Sequence, residues 1–121
     1  MTQCLIIASD ADDRRHLTRL LAWYGFELAI VEDAEQAECL CRLHMPDIIV
    51  MPQDMDGVDS FDFIQHLQRL PYSTAPKILV YADRADAGAI GRVIWGGASE
   101  CFVKPFDGSI IDLKLRQAGV V

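Results

Sequence analysis

Four thiols, three imidazoles and a set of aspartates beside apolar runs are the groups in this chain that could do chemistry. The thiols are Cys4, Cys39, Cys41 and Cys101. No two form a Cys-x-x-Cys pair. Cys39 and Cys41, two apart in a helical stretch, point to different faces. All four read as reduced thiols, mostly serving as small apolar residues. His16, His44 and His66 lie far apart, each in or at the end of a helical stretch, which suits solvated helix faces better than a metal site. The carboxylates are placed differently. Asp10 follows the apolar run CLIIA (4–8), Asp54 follows DIIVM (47–51), and the ammonium of Lys104 follows CFV (101–103). Carboxylates gathered at one place can hold a hard cation, and a lysine among them can neutralise an anion.

The elements that would position these groups are legible as an alternation. CLIIA (4–8), LAIV (28–31), DIIVM (47–51), KILVY (77–81) and CFV (101–103) read as strands. Several are apolar throughout, as in a sheet buried on both faces. Helical patterns lie between them. Asp10 caps a first helix with Leu17, Leu20, Leu21 and Tyr24 on one apolar face, ended by Gly25. Trp23 is expected to cover this helix at the core or its boundary. Asp33 caps a second helix, with Ala37, Leu40, Cys41 and a Leu43–His44 end before Pro46. Asp59 caps a third, with Phe63, Ile64 and Leu67 inward. A fourth, over about 86–95, is weakened by Gly88 and Gly91, roughly 1 kcal/mol each. A last helix after Asp107–Gly108 or Ser109 carries Ile110, Ile111, Leu113 and Leu115. This β-α pattern repeated five times implies a doubly wound parallel sheet with helices on both faces. Its ligand crevice lies at the carboxyl ends of the strands, which singles out residues 8–11, 52–57, 81–84 and 104–105.

The bulk properties exclude several functions. The chain has 121 residues and is read as one domain, 1–121, long enough for a core without disulfides or metal. The net charge of −7 argues against direct binding of nucleic acid or an anionic membrane. No stretch approaches a membrane span, and MTQCLIIASDADDRR lacks the basic leader and long apolar region of a signal peptide. The cytoplasm is the expected compartment. Met1 favours a native start, and the ending RQAGVV makes the fifth helix short, so the chain reads either as a complete small protein or as a domain of a longer one.

Over essentially its whole length the chain resembles the receiver domain of two-component response regulators. The markers are RRHLTRLLAWYGFEL after the first strand, MPDIIV and MDG around the third, and GGASECFVKPF at the fifth, above all Lys104–Pro105–Phe106. The resemblance implies a flavodoxin-like fold, five helices around a five-stranded sheet of order 2-1-3-4-5. It also implies a chemistry: an aspartate ending strand three accepts a phosphoryl group, an acidic pair after strand one holds Mg²⁺, and a Ser or Thr after strand four and a Lys after strand five contact the phosphoryl oxygens.

Most of those positions are changed here. Ala8 and Ser9 stand where the acidic pair belongs, leaving Asp10 as a remnant whose expected job is a helix N-cap. Pro52 stands at the acceptor position, in a loop about three residues shorter than the family's. The nearest carboxylate, Asp54, reads as a solvated turn residue, with a displaced acceptor as the alternative. Tyr81 or Ala82 replaces the switch hydroxyl. Cys101, beside Phe102, replaces the aromatic of strand five. Lys104 and Pro105 remain, with Lys104 expected to pair with Asp10 or Asp54 and the Lys104–Pro105 bond expected to be cis.

These losses together point to a degenerate, atypical receiver that needs no metal or other cofactor, is not an enzyme, and works through its surface. The expected interaction face is helix four, strand five and helix five, with Ile90, Ile94, Trp95 and Cys101. Its partner would be a signalling protein, with a homodimer as one form. Trp95 either stands exposed as a binding anchor or folds back over the sheet. AIGRVIWGGA reads either as a helix that shifts readily or as close packing with a glycine cap at Gly96 or Gly97, and its spacing does not suit a phosphate loop. Two other functions stay open: phosphoacceptance at Asp54 or Asp10, and small-ligand sensing in the former acidic pocket.

Overall fold

Each helix of this protein begins on an aspartate. In the computed structural model, which describes all 121 residues, Asp10, Asp33, Asp59, Asp86 and Asp107 are the N-caps of α1 (Ala11–Ala22), α2 (Ala34–Leu43), α3 (Ser60–Gln68), α4 (Ala87–Trp95) and α5 (Gly108–Gln117). Each carboxylate accepts a first-turn N–H that has no partner within the helix, and its charge sits at the positive end of the helix dipole. α4 forms despite Gly88 and Gly91 because Asp86 caps it and Val93 is buried beneath it.

The caps and side-chain pairs have a consequence for acid stability. Hydrogen bonds from Ser109 and the Ile110 backbone lower the carboxyl of Asp107, and those from Arg92 and the helix backbone lower that of Asp59. Hydrogen bonds from His66 and Arg42 lower that of Glu38. A carboxyl lowered in the folded state stabilises the protein above its unfolded pKa, and this is lost as pH falls through the folded value. The melting temperature is therefore expected to hold near neutrality and to fall below the ordinary carboxyl values of 3.8 and 4.5. A melting temperature flat through that acid range would contradict these bonds.

The strands are β1 (Gln3–Ile7), β2 (Glu27–Val31), β3 (Ile48–Pro52), β6 (Lys77–Ala82) and β7 (Glu100–Val103), plus a short antiparallel hairpin, β4 (Asp54–Met55) with β5 (Val58–Asp59). The main sheet is parallel, in the order β2-β1-β3-β6-β7. Leaving the hairpin aside, that is the expected 2-1-3-4-5. The inner strands are buried along nearly their whole length, as sheets covered on both faces require. One core lies under α2, α3 and α4 around Ile7, Ile49, Met51, Phe63, Ile64 and Leu67; the other lies under α1 and α5 around Ile6, Leu17, Leu21, Val50, Ile111 and Leu115. No helix is long and apolar enough to cross a membrane.

Four helical side chains are placed differently from their sequence-based assignment. Trp23 is 86% exposed rather than part of the core boundary. It lies about 200° round α1 from buried Leu21, and the inward place is taken by Tyr24, which stacks on Phe26 and donates to Asp112 at 2.7 Å. Leu40 and Leu43 of α2 are exposed, Leu43 by 84%, and the helix buries Ala37 and Cys41 instead. Leu113 of α5 also faces solvent, while Ile111 and Leu115 are buried.

Candidate functional site

A cleft of about 830 Å³ opens at the carboxyl ends of β1, β3, β6 and β7, where the strand order predicts one. Its walls carry Asp10, Asp13, Asp54, Asp83, Asp86 and Lys104. The parallel strands deliver Pro52, Tyr81 and Ala82 to its floor. Ala8 is fully buried in the core beneath, so it brings no group to the cleft. Ser9 follows it, exposed. Pro52 ends β3 in register with Tyr81 of β6. It brings no N–H, and the chain continues through Gln53, whose N–H donates to the Tyr81 carbonyl at 2.7 Å.

Tyr81 fills the floor. The ring is buried among Phe102 and Phe106, with centroids 6.1 and 5.9 Å away. Its hydroxyl points down into the fold and donates to the Ile7 carbonyl at 3.2 Å. Burial, followed by the charges of Asp13, Asp10 and Asp83, pushes the phenol above its ordinary value, so it is neutral. The hydroxyl is committed to backbone and does not face the cleft. Ala82, next along β6, is buried and has no polar group.

Lys104 follows β7 at the cleft, and its partners differ from those expected from sequence. The ammonium does not pair with Asp10 or Asp54. It donates to Asp13 Oδ2 at 2.7 Å and pairs with Asp83 Oδ1 at 2.9 Å. Burial lowers the ammonium's pKa, and the two carboxylates outweigh it, so the pKa lies above its ordinary value. Asp13 reaches the lysine from the first turn of α1 and Asp83 from the residue after β6. Neither was singled out as its partner from sequence. The signals were available: Asp13 is one turn beyond the cap Asp10, and Asp83 directly follows the strand end. The Lys104–Pro105 bond is cis, as expected.

The remaining carboxylates are also accounted for. Asp10 accepts the Asp13 N–H at 2.9 Å as the α1 cap. Asp54 is exposed at the start of β4, with its backbone paired to Asp59 across the hairpin. Arg14 brings a guanidinium to the end of β1, donating to the carbonyls of Ala8 at 2.9 Å and Ser9 at 3.1 Å. No three His, Cys, Asp or Glu side chains are grouped so that they could hold a metal ion. Mg²⁺ takes several oxygen ligands in near-octahedral array. Of the carboxylates in the cleft, Asp10 and Asp86 are held as helix caps and Asp13 and Asp83 by Lys104, so only Asp54 stands free, too few oxygen ligands for that ion.

The expected interaction face is partly brought together. Ile90 and Ile94 lie one turn apart on α4, Ile94 43% exposed, with Cys101 half-buried on the neighbouring edge strand β7. Trp95 is 86% exposed and does not fold back over the sheet. It sits about 100° further round the helix than Ile94, on the crest of α4 rather than its β7 side. All four thiols are free.

The family described as "Response regulator receiver domain" matches residues 4–116. The transcriptional regulatory protein AfsQ1 of Streptomyces coelicolor is 28% identical over 116 residues, 96% of this chain and 50% of that protein. The probable transcriptional regulator ycf27 of Cyanophora paradoxa is 27% identical over 115 residues, 93% of this chain and 46% of its own. The chain thus spans about half the length of these curated relatives. In fold, it is similar to the chemotaxis response regulator CheY4 of Vibrio cholerae (TM-score 0.87, 19% identity, 98% of each chain). It is similar too to a two-component response regulator from Clostridium difficile (TM-score 0.86, 19% identity, 98% of this chain and 95% of that one).

Proposed function

The chain belongs to the response regulator receiver domain family, and from that premise we propose that it is a degenerate receiver, a protein-interaction module of two-component signalling that works without phosphorylation. The observation that carries this reading is the Lys104 ammonium, held between Asp13 and Asp83 of its own chain. A receiver lysine that is to contact an incoming phosphoryl group needs an acceptor carboxylate opposite it and a metal beside it. In this chain the opposite strand ends in Pro52, and the positions of the acidic pair are Ala8 and Ser9. Both of the lysine's ionic partners come from its own chain, so its ammonium is already engaged. Asp54 stands exposed without an ion-pair partner, and nothing in its surroundings activates it as an acceptor.

On this reading 1–121 acts as one receiver unit, and its output lies on the surface. The α4–β7–α5 face, with Ile90, Ile94 and Cys101, and the crest residue Trp95, offers apolar area of the kind that anchors a partner protein. A net charge of −7 makes a protein a better partner for this unit than nucleic acid.

Mg²⁺ provides a direct test. A ligand that binds only the native state raises its melting temperature by mass action. Millimolar Mg²⁺ is expected to leave the melting temperature where an equal ionic strength of Na⁺ leaves it. A rise specific to Mg²⁺ and abolished in Asp13→Asn would mean the clamp opens to admit metal, and would overturn this reading.

A further inference from the structure

We infer that the free edge of the sheet, β2, is a pairing surface for a second copy of this chain, joined antiparallel about a two-fold axis at Ala29. β2 is the last strand on its side of the sheet and pairs only with β1. The Glu27 N–H donates to Thr2 and the Val31 carbonyl accepts from Ala8, so Glu27, Ala29 and Val31 direct their backbone groups inward. Alternation then points the N–H and C=O of Leu28 and Ile30 outward, with no strand to meet them. The Glu32 N–H beyond is closed off by the Gln36 side chain at 3.0 Å.

Exposed edges in single-copy proteins are ordinarily guarded by a proline, a lysine, a bulge or a covering segment. β2 has no proline, lysine or bulge, and its one charge, Glu27, stands at its first residue. It reads Glu-Leu-Ala-Ile-Val, in unbroken one-to-one register with β1 from Glu27 to Val31. Its flank is apolar as well. Ile30 is 42% exposed on the α1 side, and on the α2 side Leu40 and Leu43 are exposed beside Ala29.

The strand is self-complementary in one register. Outward backbone groups can bond only to outward groups, so Leu28 and Ile30 must pair with Leu28 or Ile30 of the second copy. Centring on Ala29 pairs Leu28 with Ile30 twice, giving about four interchain hydrogen bonds. It aligns all of Glu27–Val31 and sets Glu27 against Val31 and Glu32 against Phe26, so no like charges are opposed. A shift of two residues one way opposes Glu27 to Asp33, which is repulsive. The same shift the other way runs the pairing into the turn at Gly25 and leaves only three strand residues in register. β2 and β7 are opposite edges of the sheet, so pairing here leaves the α4–β7–α5 face free, and the inference stands whether or not the cleft is active.

Disulfide trapping tests it. Residues that face one another at a non-hydrogen-bonded antiparallel site have Cα atoms about 4.5 Å apart, within the disulfide range of about 4.4–6.8 Å. Ala29→Cys would be made in a Cys39→Ser background and equilibrated with oxidised glutathione, so that two thiols form one interchain disulfide and reduce one glutathione disulfide to two thiols. The expected result is a covalent dimer of twice the 13.5 kDa chain mass, forming at least tenfold faster than with Glu27→Cys, which would face Val31. Adding Ile30→Pro should abolish that advantage. Its N–H points away from β1, so the change removes an interchain donor and no ladder bond within the chain. Far-UV circular dichroism would check folding, with Ile30→Lys as a second edge block. Equal trapping at positions 29 and 27, or trapping unaffected by both Ile30 variants, would overturn the inference, as would sedimentation as a monomer at every concentration.

Discussion

A Tyr81→Ala variant is expected to lose roughly 3–5 kcal/mol of folding stability, as deletion of a buried aromatic ring does when the surroundings cannot collapse. The ring touches Phe102 and Phe106, and those two rings are themselves edge to face at 5.1 Å, so the space has no small side chain that could swing in. Tyr81→Phe separates the ring from the hydroxyl. It removes one hydrogen bond to the Ile7 carbonyl and should cost only about 1 kcal/mol. Tyr81→Thr restores a small hydroxyl of the family type, but it leaves most of the cavity and should still cost more than Tyr81→Phe. Urea denaturation followed by far-UV circular dichroism is the suitable measurement, because Trp23 and Trp95 are both 86% exposed and report little on the core. A loss below about 1 kcal/mol for Tyr81→Ala would mean that the ring is not the plug of the cleft floor.

The second large effect is expected where α4 ends. Gly97 has φ +120°, and a Cβ there would meet the Gln68 side chain. A Cβ on Gly96 would stand 2.7 Å from the Phe61 ring, and the Gly96 carbonyl accepts from Gln65 Nε2 at 2.7 Å. The glycine pair is therefore the close-packing device that seats α4 on α3, reinforced by Arg92, which binds Asp59 and lies over the Phe61 ring at 4.8 Å. Gly97→Ala should cost roughly 1–3 kcal/mol from backbone strain alone, and Gly96→Ala should displace Phe61. Gly91→Ala carries the opposite sign. Nothing lies within 4 Å of its would-be Cβ, and alanine in a helix interior is favoured by up to about 1 kcal/mol. If Gly91→Ala and Gly97→Ala destabilise alike, α4 is limited by helix propensity and not by its seat on α3.

Much of this architecture was legible in the residues because it is local. The apolar runs predicted the strands to within a residue or two. The three caps named outright and the two suggested by helix starts are all aspartates that accept first-turn N–H groups. Local signals were also missed. Asp56–Gly57 between Asp54–Met55 and Val58–Asp59 is the two-residue turn of a hairpin, with Gly57 at φ +69°, and Asp-Gly is a local hairpin signal. Other features were not local. Lys104 and Asp13 are 91 residues apart, and which of several nearby carboxylates takes the ammonium is decided by the pitch of α1 over the sheet. Trp23 and Leu43 lie on amphipathic helices whose apolar residues outnumber what the sheet can cover. Which of them is left in solvent depends on where each helix crosses the edge.

Whether the cleft of this receiver accepts a phosphoryl group can be read by incubating the protein with acetyl phosphate and Mg²⁺ and measuring its intact mass. Beside a competent receiver that becomes labelled, this chain is expected to show no phosphoryl adduct. An adduct that disappears in Asp54→Asn, or in Asp10→Asn, would show that another aspartate has taken over the acceptor's role, and that this receiver is phosphorylated after all.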